Sequence, residues 1–210
     1  MSDISALSVE RSALVRVSAA VAARDRVHLQ EALRRANSDA RGEAVDEILL
    51  QSHLFVGFPD ALEAIVLWRE ISGSPAPASY PEASERWKER GEQVCETVYG
   101  ANYGKLRHNV TMLHPDMDRW MVEGGYGRVI GRPGLDLATR ELCIVALLAV
   151  WHAPRQLHSH LRGALNAACT LQEIEAAVEI ACEYAASMAA DEVRALLRRV
   201  AEGNQRSTGG

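Results

Sequence analysis

Apolar positions recur along most of the chain at the spacing of a helix. Val45, Ile48, Leu49, Ser52 and Phe55 follow one another at i, i+3, i+4 intervals, and Leu157, Leu161, Ala164, Leu165 and Ala168 repeat the arrangement. A period near 3.6 puts such residues on one stripe, which a helix buries against a core. No stretch alternates strictly between apolar and polar, as a half-buried strand would, and Ala, Leu, Glu and Arg dominate. The pattern predicts an all-α protein of roughly ten helices. Its punctuation is legible. Gly73 to Ser79, continued by Pro81, is a linker-like break before a helix beginning near Glu82, and Gly100 and Gly104 flank a turn. Gly131-Arg132-Pro133-Gly134 is a second stop, Thr170-Leu171-Gln172-Glu173 reads as a capping box, and the tail from Gly203 is expected to fray.

Shifting the chain by 129 residues without a gap places Arg11 on Arg140, Val21 on Val150, Asn37 on Asn166 and Val45 on Ile174. The stripe Ile174, Ala177, Val178, Ala181 and Tyr184 then falls on Val45, Ile48, Leu49, Ser52 and Phe55. This agreement of pattern predicts two copies of a helical unit, at about 8–72 and 137–201, joined by a helical insert, so that the chain divides into a first unit at 1–78 and a second at 79–210.

Composition narrows the class. With 210 residues and 48% apolar content, the chain can bury a core without metal or disulfide staples. A net charge of −5 argues against a nucleic-acid partner. Cys95, Cys143, Cys169 and Cys182 stand apart with no C-x-x-C pair, which suits a reducing, cytoplasmic setting. The longest apolar run, Leu142 to Trp151, is half the ~20 residues needed to span a bilayer, so no membrane partner is expected.

The stretch Arg132-Pro133-Gly134-Leu135-Asp136-Leu137-Ala138-Thr139-Arg140, followed by Leu157-His158-Ser159-His160-Leu161-Arg162-Gly163-Ala164-Leu165-Asn166, resembles the carboxymuconolactone decarboxylase family of the AhpD-like superfamily. Gly91 to Gly100 occupies the family's G-x-x-V-R-R-x-V-x-G segment, and the likeness covers residues 85–180 or so. Arg11-Ser12 and Gly57-Phe58-Pro59 extend a weaker likeness to the first unit. The resemblance implies an AhpD-like helical bundle and, because single-unit members form rings of dimers, a homo-oligomer: a trimer of fused two-unit chains. It implies a lyase that needs no cofactor and removes CO₂ from an unsaturated lactone acid, or a similar small acid, of aromatic-compound catabolism. Electrons left by CO₂ spread into a conjugated carbonyl, so the protein must stabilise an oxyanion and protonate a carbon.

His160 lies on the apolar stripe of its helix, where a sheltered imidazole can pass a proton near pH 7; a satisfied core histidine is the alternative. Glu141, nineteen residues earlier, matches a working carboxylate of the superfamily, although a Glu in a first turn also suits the helix dipole. The resemblance makes His160 the proton donor and Glu141 its orienting partner. Arg140 and Arg162 are candidate grips for a carboxylate, with salt bridges or a solvated surface as alternatives. His158 and His160 point about 200° apart around a helix, so no metal site is expected.

Two departures qualify the substrate. Cys95 and Glu96 replace the paired arginines of the V-R-R segment, and Gln156 replaces the Glu common before L-x-x-H. The thiol-peroxidase branch of the superfamily needs a C-x-x-C where this chain has Ala153 and Gln156. A related lactone hydrolase or isomerase, or a non-catalytic binding protein of the same fold, stays open. Ser12 and Glu31 stand where the second unit has Glu141 and His160, so the first unit reads as structural.

Overall fold

The computed structural model describes residues 4–208. Side chains at the helix ends account for where several helices begin. Ser8 accepts from the Arg11 amide before α1 (Val9–Ala23), and Asp25 accepts from the Val27 and His28 amides before α2 (Arg26–Asp39). These bonds satisfy amides that the first helical turn leaves unpaired. α3 (Gly42–Ser72) is broken at Gly57, whose φ of 79° lies in the left-handed region that a side chain resists. Pro59 follows within the same turn, and the two redirect the second half of the helix.

Residues 73–83 carry no regular structure. α4 (Glu85–Tyr99) starts three residues after Glu82, whose carboxylate accepts from the Arg90 guanidinium and the Trp87 indole. α5 (Tyr103–Leu113) takes in Gly104, and the turn after α4 is a single 3-10 turn, Gly100–Asn102, opened by Gly100 at φ 51°. After α6 (Pro115–Trp120) the chain runs into a π-helix (Met121–Ile130), which the sequence pattern does not announce. Its last turn closes with the Gly131 amide donating to the Tyr126 carbonyl five residues back, at 2.7 Å.

Asp136 then caps α7 (Leu137–Val150), and α8 (Pro154–Asn166) follows a tight turn. Thr170 and Glu173 form the expected capping box at the start of α9 (Leu171–Cys182), and α10 (Ser187–Thr208) ends the described chain. Among the described residues there is no strand, and no helix is long and apolar enough to cross a membrane.

One apolar core takes side chains from both halves of the chain. α7 runs through it, buried from Thr139 to Ala149, and packs against α1, α8 and α9. Arg11 on α1 ties this centre together: its Nε donates to Thr139 Oγ1 at 2.9 Å, and its guanidinium pairs with Asp136 and Glu173 at the starts of α7 and α9. The offset of 129 carries the first residues of α1, α2 and α3 to within one residue of the first residues of α7, α8 and α9.

Candidate active site

α7 and α8 form an antiparallel hairpin. Its turn is tightened by His152, at φ 55°, and by Pro154 in the first turn of α8, where a missing amide costs nothing. The hairpin sets Glu141 against the face of α8 that carries His160 and Gly163. His160 Nδ1 and Glu141 Oε2 are 2.8 Å apart, with the histidine 5% exposed and the glutamate fully buried. Gly163 makes the arrangement possible: a Cβ there would stand 2.7 Å from Glu141 Oε2 and 2.7 Å from Val98 Cγ1. Glu141 Oε1 is buried with no hydrogen-bond partner among the described residues.

His160 borders a cavity of about 320 Å³ walled by Leu54, Phe55, Met117, Trp120, Met121 and Ile130, with the phenols Tyr99 and Tyr126 beside it. The rings of Phe55 and Tyr99 stand edge-on to the imidazole, with centroids 6.2 and 6.4 Å away. The Tyr126 hydroxyl donates to the Tyr99 hydroxyl at 3.2 Å. Burial pushes the Tyr99 phenol up to about 12 and that of Tyr126 well above its ordinary value, and the Glu141 charge raises both further. Both therefore stay neutral hydrogen-bond donors at neutral pH. No Lys or Arg is among the lining residues. A second hollow of about 370 Å³ shares Leu54, Trp120 and Gly125 with the first and carries Arg128 and Arg132 on its wall.

Of the four residues singled out in the sequence, the fold brings Glu141 and His160 together and keeps the two arginines away from them. Arg140 is fully buried and committed elsewhere: its guanidinium pairs with Glu47 at 2.8 Å and donates to the carbonyls of Arg132 and Leu135. The internal ion pair is the salt-bridge alternative that the sequence left open for Arg140. Arg162 lies two residues beyond His160, so the helix turns it away; it borders a different hollow with Lys105, His158 and Asn109. Tyr99 is the wall between that hollow and the His160 cavity.

His152, His158 and His160 diverge, with His152 paired to Glu192 at 2.7 Å and His158 exposed. Among the described residues no three His, Cys, Asp or Glu side chains gather as metal ligands. No cysteine lines the His160 cavity, and burial pushes the thiols of Cys95, Cys143 and Cys169 up to about 12, so none is a ready thiolate. Sequence reasoning missed Tyr99, Tyr126 and Gly163. Gly163 alone left a signal, as a glycine one helical turn after His160.

The profile of the carboxymuconolactone decarboxylase family matches residues 115–199, which include Glu141, His160 and Gly163. Two curated proteins are similar. Peroxisomal protein 2 of Schizosaccharomyces pombe is 26% identical over 144 residues, covering 65% of this chain and 66% of that protein, just under two thirds of its length. The nitrosuccinic acid decarboxylase of Metarhizium robertsii is 33% identical over 109 residues, covering 51% of this chain and 76% of that enzyme. On these matches the chain belongs to the carboxymuconolactone decarboxylase family.

Proposed function

We propose that this protein is a cofactor-independent decarboxylase of small acids whose carbanion is delocalised into an adjoining carbonyl or nitro group. The observation that carries the reading is the buried Glu141–His160 pair, 2.8 Å apart, opening on an apolar cavity. With Nδ1 held by the carboxylate, the other ring nitrogen is left for the cavity, and Glu141 fixes the ring and steadies its charge once it is protonated. An acid whose carboxylate lies in that cavity finds no Lys or Arg to hold its charge in place. Charge that spreads over a conjugated system is penalised less there than charge held on one carboxylate. After CO₂ leaves, the protonated imidazole delivers its proton to the carbon. The name of the Metarhizium relative supports this reaction class, and an unsaturated lactone acid of aromatic-compound catabolism is the substrate the family likeness favours.

The matching helix starts at the 129-residue offset support reading the chain as two copies of one unit, the first without the acid–base pair. Exposed Phe58 and Leu62 beside the second hollow, with Val66 further along α3, support assembly of several copies, which light scattering would detect.

The test is a panel of small lactone acids and nitro acids with release of CO₂ followed by mass spectrometry. Replacing His160 by Ala, or Glu141 by Gln, should each lower turnover by about 100-fold, the range of a positioned proton-transfer group. Unchanged turnover in both variants would refute the assignment.

A further inference from the structure

The His160 cavity holds few polar atoms, and most of their hydrogen-bonding capacity can be traced. His160 Nδ1 is engaged by Glu141. The Tyr126 proton is engaged by the Tyr99 oxygen. The proton of Tyr99 itself has no acceptor among the described residues, although its ring stands edge-on to the imidazole across the same space. Every other lining group is a hydrocarbon, thioether or indole side chain, or glycine backbone. A half-buried O–H group that lines a largely apolar cavity and has no protein acceptor is available to donate to a ligand oxygen placed there.

We infer that Tyr99 is a catalytic hydrogen-bond donor, aimed at the substrate oxygen on which negative charge gathers as CO₂ departs, and that Tyr126 positions and polarises it. This rests on the proton-transfer reading of Glu141 and His160 and supplies the oxyanion partner which that reading leaves open. The bond from carbon to the carboxylate breaks, and its electron pair moves through the conjugated system to rest on the carbonyl or nitro oxygen. The Tyr99 O–H donates a hydrogen bond to that oxygen and keeps its proton. The electron pair then returns to carbon, which takes the proton from the His160 imidazolium, and solvent restores that proton. The net change is one carboxylate anion and one proton converted to one CO₂ and one product in which a C–H bond replaces the bond to the carboxylate.

Two features suit Tyr99 to this task. A bond accepted from Tyr126 strengthens the bond that Tyr99 gives, because hydrogen bonds in series polarise one another. Burial holds the phenol up at about 12, so it remains a donor throughout the neutral range. Its low-dielectric surroundings also favour a donor fixed in advance over mobile water.

Tyr99→Phe removes the hydroxyl and leaves the ring. It should lower kcat by about 100-fold, as loss of one oxyanion donor does, while KM changes less than about threefold. Tyr126→Phe should produce a smaller loss in kcat. A second arm needs no turnover: 4-nitrophenol serves as a planar oxyanion probe whose absorbance reports the bound anion. Wild-type protein should bind the anion, and Tyr99→Phe should weaken binding by about tenfold or more. Equal nitrophenolate affinity in wild type and Tyr99→Phe would overturn the inference, as would full kcat in Tyr99→Phe with a substrate that His160→Ala no longer turns over. If the wild type releases CO₂ from no acid of the panel, the decarboxylase reading fails, and the nitrophenolate arm still decides the role of Tyr99.

Discussion

Gly163 lacks a side chain at a point where the Glu141 carboxylate and Val98 occupy the space a methyl group would need. The carboxylate can lie close to α8 and reach His160 only because that position is bare. Gly163→Ala should push the carboxylate off Nδ1, cutting turnover by about tenfold or more, while the overpacked site loses about 1–3 kcal/mol in urea unfolding. Wild-type turnover in that variant would show that the Glu141 contact does not matter to the chemistry. At this scale the sequence was informative where chemistry and helix face coincided. His160 on an apolar stripe and Glu141 in a neighbouring helix could be paired on paper. Tyr99 and Tyr126 could not, because a phenol among apolar neighbours reads as core and their contact joins two separate elements. The sequence left Arg140 open between a substrate and a salt bridge for a related reason: its partner Glu47 lies 93 residues away on α3.

α4 and the π-helix meet through backbone. A Cβ on Gly91 would fall 2.1 Å from the Val122 carbonyl oxygen, and one on Gly127 would fall 1.9 Å from that of Trp87. Main chain on both sides cannot swing aside as a flexible side chain would. Gly127→Ala should therefore cost about 3 kcal/mol or more in denaturant titration, at the upper end of overpacking. Gly104→Ala, in α5 with open space around it, should be neutral or stabilise by up to about 1 kcal/mol. The close approach has a functional side, since these two elements carry Tyr99 and Tyr126, and a gap between them would part the hydroxyls. Helices α3, α8 and α9 were legible in their stripes, and α9 also in its capping box, because local periodicity and burial agree there. The π-helix was not, since its extra residue per turn breaks the 3.6 period, and Gly124, Gly125 and Gly127 read as loop formers.

Taken whole, the molecule joins its two halves through buried charge as well as apolar packing. Glu47 on α3 receives Arg140 from α7 and also lies 3.0 Å from Arg132. Glu47→Leu alone should cost about 3–5 kcal/mol by stranding a buried guanidinium, and adding Arg140→Met should recover most of the loss. Turnover per folded molecule should be unchanged in the double variant, because neither residue lines the His160 cavity; a raised KM would return Arg140 to the substrate. The single core shared by both halves bears on the exposed strip at residues 75–81, which no helix covers. A protease that nicks this strip would cut the covalent thread without touching the pocket, whose wall draws Leu54 and Phe55 from one piece and Tyr99, Tyr126 and His160 from the other. The two fragments should co-elute as one particle on a sizing column and separate only in denaturant, and neither expressed by itself would bring a complete binding chamber.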